Sequence, residues 1–254
     1  MKCLVLLTDM KDVAVSEVVL RSIPRELSEQ VNVSVVNIET FDTVHANFLL
    51  RLVLDSLEMG DIVSIVCDPR LNDIPRDSIG IELENGVCVV GPNNGVMSRM
   101  LEDFNVKTAI KLPISPESTK HPTFNGKYRF AVATKKLLLG EDLSSIGEVV
   151  AVDHFYKVKT AHGTVVHVDN YGNLKLKLPR IEDKKVGSKV LIKLRDKIVT
   201  VTYGVEFDDV DEGEGIFYNG SSLWGLPELA LNRGSFASTY GVRVGDFVTI
   251  MGER

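Results

Sequence analysis

The sequence predicts two domains of different class. Residues 1–155 are predicted to form an α/β domain with a Rossmann-like sheet and flanking helices, and residues 156–254 a small all-β barrel. The first prediction rests on apolar strand-like runs that alternate with stretches of helical periodicity. The second rests on the short strand-like runs, separated by turns, that follow residue 150. A chain of 254 residues has the length at which two domains become common.

The amino-terminal half begins with strand and helix patterns in alternation. The predicted elements are a strand at 3–7, a helix at 13–23 ended by Pro24, a strand at 31–38, a helix at 47–59 ended by Gly60, and a strand at 62–67. The last strand is an almost continuous apolar run, which is typical of a strand buried on both faces. Asp9 and Asp68 follow the first and last of these strands, and open α/β sheets bind ligands at the carboxyl ends of strands.

The rest of this domain contains a predicted hairpin and two predicted helices. Asn85-Gly86 lies between strand-like runs at 79–83 and 87–90, which predicts a turn with positive φ at both residues. A helix is predicted at 96–104. The prolines in residues 112–123 predict a loop, and a helix at 124–139 is expected to begin near Asn125 and end at Gly140.

In the second half, residues 165–178 alternate apolar and polar residues on both sides of an Asp-Asn-Tyr-Gly-Asn turn. The alternation predicts two strands, and the position of this turn near the domain boundary favours a ligand site. Further strands are predicted at 189–194, 198–203 and 247–251.

Composition excludes several classes of function. The net charge of −6 argues against nucleic acid or an anionic membrane as a partner, because binding phosphates requires clustered Lys and Arg. No apolar run approaches the roughly 20 residues that span a bilayer, so we expect a cytoplasmic protein. Cys3, Cys67 and Cys88 lie in strand-like runs and are expected to be buried, and no Cys and His pair at metal-ligand spacing. We therefore expect no structural metal.

Common catalytic motifs are absent from the sequence: there is no phosphate-binding loop, dinucleotide fingerprint or nucleophile elbow. What remains is a set of polar residues at the ends of apolar runs. They are Asp9, Asp68, Arg76, Asn125, Asp169 and Asn173. Each has a structural alternative, since Asp9 and Asn125 suit helix caps and Asp68 suits a turn before Pro69.

Several short segments nevertheless occur together in one order. They are Thr8-Asp9, Phe41-Asp42, Val66-Cys67-Asp68-Pro69, Gly91-Pro92-Asn93-Asn94-Gly95, Pro122-Thr123-Phe124-Asn125-Gly126, Val168-Asp169-Asn170-Tyr171-Gly172-Asn173 and Glu228-Leu229-Ala230-Leu231-Asn232-Arg233-Gly234-Ser235. In order and approximate spacing the chain resembles the S-adenosylmethionine hydroxide adenosyltransferases, relatives of the fluorinase and chlorinase enzymes. The resemblance extends from about residue 3 to about residue 250.

The resemblance implies a homotrimer that binds a small-molecule substrate between domains of neighbouring subunits. By this resemblance Asp9 would hold the ribose hydroxyls, and Phe41 would pack on the ligand. Asp169 and Asn173 would bind its amino-acid part and adenine. The substrate-binding set is completed by Ser222, Glu228, Asn232 and Arg233.

The implied reaction is attack of water or hydroxide on the ribose C5′ of S-adenosylmethionine, giving adenosine and methionine. A sulfonium is already a good leaving group, so no cofactor is expected and the protein must chiefly position the nucleophile. The family uses an Asp, an Arg and a His, which Asp68, Arg76 and Asn125 match in position. Asn125 stands where the family has His, and an amide cannot accept a proton near neutral pH.

The substitution at Asn125 keeps a second function open, an inactive relative that binds adenosine or S-adenosylmethionine. A halide nucleophile is a third possibility, and Asp68 argues against it because a carboxylate repels anions.

Overall fold

The computed structural model describes residues 1–69, 77–221 and 225–253. The chain divides into two compact units, Met1–Val158 and Lys159–Arg254. Within the described residues, no helix is both long enough and apolar enough to cross a membrane.

The first unit is built on a seven-stranded mixed sheet in the order β2-β1-β3-β5-β4-β6-β7. Its strands are β1 (Lys2–Thr8), β2 (Val31–Asn37), β3 (Ile62–Val66), β4 (Ser78–Leu83), β5 (Cys88–Pro92), β6 (Val106–Lys111) and β7 (Glu148–Val149). Strands β2, β1, β3 and β5 run parallel to one another. Strands β4, β6 and β7 are added by antiparallel pairing. The predicted α/β class of this part of the chain is confirmed.

Helices accompany the sheet along the chain. They are α1 (Val13–Ser22), α2 (Thr43–Leu54), α3 (Ser98–Asp103), α4 (Pro116–Lys120), a π-helical segment (Gly126–Phe130), α5 (Ala131–Leu138) and α6 (Leu143–Ile146), with short 3-10 turns at Arg25–Leu27 and Val152–His154. One core cluster joins Leu4 and Leu6 of β1 to Val18 of α1 and Phe130. Successive side chains of a strand point to opposite faces, and all residues of β3 are buried, so the central strands are covered on both sides.

Three local predictions were wrong. Helix α2 begins at Thr43, well before residue 47, because the Asp42 side chain caps it by accepting a hydrogen bond from the backbone N–H of His45 at 2.9 Å. The predicted loop at 112–123 contains α4, in which Pro116 occupies the first turn, where its missing N–H is not needed. In the hairpin turn only Gly86 has a positive φ, 82°, and Asn85 does not.

The second unit also contains a seven-stranded sheet, in the order β14-β10-β11-β12-β13-β9-β8. Its strands are β8 (Val165–Val168), β9 (Leu174–Leu176), β10 (Lys189–Leu194), β11 (Lys197–Tyr203), β12 (Gly215–Asn219), β13 (Pro227–Leu231) and β14 (Val248–Glu253). An antiparallel bridge between Thr164 and Phe247 joins the segments that precede the two edge strands. Helix α7 (Phe236–Tyr240) and a 3-10 turn (Phe207–Asp209) lie between strands. This unit was predicted to be all-β, and it is mainly β with these two short helical elements.

The core of the second unit is apolar and lies on one face of its sheet. It includes Leu174, Phe217, Leu229 and Phe236, each almost completely buried. The alternate residues of the same strands face the other way. That opposite face carries the polar side chains described below.

Candidate functional site

In the first unit, polar residues meet at the carboxyl ends of β1 and β3. The Asp9 N–H donates to the carbonyl of Val66 at 3.3 Å, which places the ends of the two strands side by side. Cys67 and Asp68 continue from β3 beyond this point. This edge of a parallel sheet is where open α/β proteins bind ligands.

Asp9 holds an exposed aromatic residue in a strained conformation. Its Oδ2 accepts a hydrogen bond from the Phe41 N–H at 2.9 Å. Phe41 has a φ of 59° and its side chain is 69% exposed. A left-handed conformation costs a bulky residue about 1–2 kcal/mol, and such strain concentrates at functional sites. The capping role considered for Asp9 is not observed, because Asp12 caps α1.

Asp68 and Asn125 form a hydrogen-bonded pair at the same edge. Asn125 donates from Nδ2 to Asp68 Oδ2 at 3.1 Å, and its side chain makes no helix-capping hydrogen bond. The pairing depends on close approach of the π-helical segment to β3. A Cβ on Gly126 would lie 2.7 Å from Val66 Cγ1, so glycine is needed there. The structure thus joins two of the three predicted catalytic residues.

The electrostatics of the Cys67 thiol show that several carboxylates surround this edge. Burial raises the pKa of Cys67, and the negative charges of Asp9, Asp42 and Asp68 raise it further. The thiol is therefore neutral at physiological pH and is not a nucleophile. The same three carboxylates give this edge a negative field, which suits a cationic ligand such as a sulfonium.

In the second unit, Asp169 organises the turn between β8 and β9. Its Oδ1 accepts hydrogen bonds from the N–H groups of Tyr171 at 2.9 Å and Asn173 at 3.0 Å, and its Oδ2 accepts one from Asn173 Nδ2 at 3.0 Å. Gly172 has a φ of 84° and packs tightly against Ser235. Asp169 thereby fixes the orientation of the Asn173 amide.

This turn forms one wall of a pocket of about 540 Å³. The lining residues are Tyr171, Asn173, Phe207, Leu231, Asn232, Arg233 and Gly234. Three of the predicted substrate-binding residues, Asn173, Asn232 and Arg233, therefore share one pocket. An aromatic pair with a few amide groups is suited to a flat heteroaromatic ligand.

The sequence prediction missed Tyr171, Phe207 and Leu231. Tyr171 lies inside the quoted turn motif and Leu231 immediately precedes Asn232, so both could have been identified from the predicted residues next to them. No sequence motif around Phe207 indicates that it belongs to the pocket. It joins the pocket through Asn232, whose Nδ2 donates to the carbonyls of Val210 at 2.8 Å and Phe207 at 3.2 Å.

Glu228 lies in a row of side chains across three neighbouring strands, in which Glu228 and Lys175 are buried and Tyr218 is partly buried. In register it pairs with Lys175 of β9 and with Tyr218 of β12. Its carboxylate forms an ion pair with Lys175 and accepts a hydrogen bond from the Tyr218 hydroxyl at 2.8 Å. Burial, followed by this hydrogen bond, raises the pKa of Tyr218. Contact of Glu228 with substrate stays a prediction.

Arg76 and Ser222 lie outside the described residues. Among residues 1–69, 77–221 and 225–253, no three His, Cys, Asp or Glu side chains cluster as metal ligands would.

Comparison with known proteins links both units to one group of enzymes. The chain is 29% identical over 164 residues to the (R)-S-adenosyl-L-methionine hydrolase of Methanocaldococcus jannaschii, a match that covers 63% of this chain and 59% of that protein. It is 29% identical over 218 residues to the enzyme of the same name from Thermus thermophilus, covering 80% of this chain and 81% of that protein.

Two solved structures share the fold. An uncharacterized conserved protein from Thermotoga maritima has a TM-score of 0.81 at 21% identity, covering 97% of this chain and 99% of that one. A conserved hypothetical protein from Thermus thermophilus has a TM-score of 0.76 at 25% identity, covering 99% of this chain and all of that one.

Family models match most of the sequence. Residues 4–147 match the SAM hydroxide adenosyltransferase N-terminal domain, and residues 163–249 match the corresponding C-terminal domain. Since the first of these alone spans more than half of the chain, the chain belongs to the SAM hydroxide adenosyltransferase family.

Proposed function

We propose that this protein hydrolyses S-adenosyl-L-methionine to adenosine and L-methionine by attack of water at the ribose C5′. The observation that carries the proposal is the hydrogen-bonded pair of Asp68 and Asn125 at the carboxyl end of β3. Relatives named S-adenosyl-L-methionine hydrolases support the substrate and the reaction type.

In this reaction the Asp68 carboxylate orients the water and takes up its proton as the new bond forms. An oxygen lone pair of the water attacks C5′, the C5′–S bond breaks, and its electron pair stays on sulfur as the thioether of methionine. Asp68 then releases the proton to solvent. Asn125 donates to Asp68 Oδ2 and thereby fixes the orientation of the carboxylate toward the water.

Five of the predicted substrate-binding residues are assigned direct contacts with the ligand. Asp9 holds the ribose hydroxyls and the exposed Phe41 ring packs on the ligand. Asn173, with Asn232 and Arg233, binds adenine in the second unit's pocket, and Asp169 acts by orienting Asn173.

No cofactor is needed, because the positive sulfonium leaves as a neutral thioether without protonation. Binding is favoured by the negative field of the carboxylates around Cys67. The family resemblance implies a homotrimer, and we propose that this protein forms one. Light scattering of the purified protein tests this.

The test is to incubate the protein with S-adenosylmethionine in water enriched in ¹⁸O and to quantify products by mass spectrometry. We expect equal amounts of adenosine and methionine, with the label in the 5′-hydroxyl of adenosine. Asp68→Asn should abolish product. Asp196→Asn, which changes an exposed carboxylate in the turn between β10 and β11, should retain it. Label in a homoserine product instead would refute attack at C5′.

Asn125 favours a second candidate function, binding without turnover. Its amide donates to Asp68 and cannot take up a proton, so the site lacks the family's imidazole. Calorimetric binding of S-adenosylmethionine or adenosine, with product no greater than in a protein-free blank, would establish this alternative.

A further inference from the structure

The segment Gly91-Pro92-Asn93-Asn94-Gly95 contains none of the predicted site residues, yet it lies beside the strand that leads to Asp68. Its first two residues end β5, which runs parallel to β3. The two strands approach closely here. A Cβ on Gly91 would lie 3.0 Å from Ile65 Cβ and 3.2 Å from the Ile65 carbonyl oxygen, closer than ordinary van der Waals contact. Glycine at this position therefore brings the segment up to the end of β3.

Asn94 joins this segment to the end of β3 by a buried hydrogen bond. Asn94 is 5% exposed, and its Nδ2 donates to the carbonyl oxygen of Cys67 at 3.0 Å. Its Oδ1 accepts a hydrogen bond from the Val96 N–H at 3.3 Å. The turn that follows is closed by Ser98, whose Oγ donates to the Gly95 carbonyl at 2.7 Å. Because both ends of the amide are bound, the orientation of the Asn94 side chain is fixed.

The bond to Cys67 acts directly on the backbone of Asp68. The carbonyl of Cys67 and the N–H of Asp68 belong to one planar peptide group, so fixing the carbonyl oxygen also fixes the Asp68 nitrogen. Pro69 restricts Asp68 further, because a residue that precedes proline is biased toward extended conformations. Asp68 is thus held at its backbone through Asn94 and at its carboxylate by Asn125.

The turn alone does not require an asparagine at position 94. In the bond from the Val96 N–H, a side-chain oxygen binds the backbone two residues further on, and a serine hydroxyl makes the same kind of bond. The additional length and the N–H group of the amide serve the bond to the Cys67 carbonyl. The choice of asparagine is therefore explained by the end of β3.

We infer that Asn94 is a positioning residue for the nucleophile site: it holds the Cys67–Asp68 peptide group where the Asp68 carboxylate is directed at the attacking water. This inference rests on the proposed function. Asn94 acts through Asp68 and not through contact with the substrate. Its loss should therefore lower the rate of the chemical step and leave substrate binding nearly unchanged.

The test compares Asn94→Ser with Asn47→Ser. The first variant keeps an acceptor for the Val96 N–H and removes the bond to the Cys67 carbonyl. Asn47 is a matched control, because it too is 5% exposed, and its Oδ1 accepts a hydrogen bond from the Arg99 N–H at 2.8 Å, between α2 and α3. The same substitution there removes a buried hydrogen bond elsewhere in the first unit. Circular dichroism and urea midpoints compare the folding of both variants.

A misplacement of about 1 Å can reduce a rate by about a hundredfold. We expect Asn94→Ser to lower kcat by about ten- to a hundredfold, with KM changed by no more than about twofold. Asn47→Ser should keep the kcat of the wild type. A folded Asn94→Ser protein with wild-type kcat would overturn the inference. Equal losses of kcat in the two variants, or a change confined to KM, would overturn it as well.

Alkylation of Cys67 by iodoacetamide tests the same bond without turnover. Cys67 is buried, whereas Cys3 and Cys88 are partly exposed, and peptide mass spectrometry follows each thiol separately. Without its bond to Asn94 the end of β3 should open more often, and a hydrogen bond of ordinary net strength corresponds to about fivefold in such an equilibrium. Asn94→Ser should therefore raise the alkylation rate of Cys67 relative to Cys88 by about fivefold.

This measurement separates the inference from the proposed function. If the wild type makes no adenosine, the proposed function fails, and the alkylation ratio still decides whether Asn94 orders the end of β3. A ratio raised in Asn94→Ser and unchanged in Asn47→Ser supports that role. An unchanged ratio in Asn94→Ser, or an equal rise in both variants, would overturn the inference whether or not the wild type is active.

Discussion

The ion pair between Lys175 and Glu228 should be costly to break and much less costly to remove entirely. The two side chains are 8% and 4% exposed, and Tyr218 donates to the second oxygen of Glu228 at 2.8 Å. Removing one partner leaves the other charge buried, which costs about 3–5 kcal/mol. Lys175→Met and Glu228→Gln are each expected to reduce the free energy of unfolding by about that amount.

The double variant removes both charges. Methionine fills the volume of the lysine stem, and glutamine still accepts the hydrogen bond from the Tyr218 hydroxyl. The expected loss is no larger than that of one single variant. The coupling energy in a double-mutant cycle is therefore about 3 kcal/mol or more.

The assay is urea unfolding, followed by the fluorescence of Trp224, the single tryptophan of the chain, whose position in the sequence falls within the second unit. Lys193→Met is the control, since it removes an exposed lysine from strand β10 and should change stability by no more than about 0.5 kcal/mol. If the double variant loses as much as the two single variants together, the two charges do not depend on each other and the reasoning is refuted.

Three further outcomes are expected. Gly172→Ala should lower the free energy of unfolding by about 2–4 kcal/mol, because its Cβ would lie 2.0 Å from Ser235 Oγ at a φ of 84°; an unchanged urea midpoint would contradict this. Asn125→His should raise kcat about a hundredfold and add a pH limb near 6.5, whereas Asn125→Ala should lower kcat; equal rates in all three proteins would contradict a role for this position. Burial lowers the pKa of His45 in the folded protein. On acidification, His45 therefore takes up a proton in the unfolded chain at a higher pH than in the folded protein, and stability should fall as pH drops below about 6.5. His45→Gln should flatten that part of the curve of stability against pH, and an unaltered slope would contradict the assignment.

Elements of structure that depend on a local sequence pattern could be predicted well. The strands around Leu4 and Ile65 were predicted because a buried strand must be apolar on both faces, and this signal is local. The helix ends were predicted less accurately, because capping depends on single side chains such as Asp42. The short helix α4 was missed because its prolines signal a loop, although proline is also favoured in a first helical turn.

The sequence alone determined the two-domain α/β and mainly β organisation and the set of polar residues at strand ends. It also determined the family resemblance, because order and spacing of motifs are properties of the chain itself. Only the tertiary structure decided which of these residues meet. The Asp68 and Asn125 pair, the contact of Phe207 with the pocket, and the position of Arg129 beside Ser78 all join residues far apart in the chain. No local pattern encodes such a contact, because it depends on how strands and helices pack together.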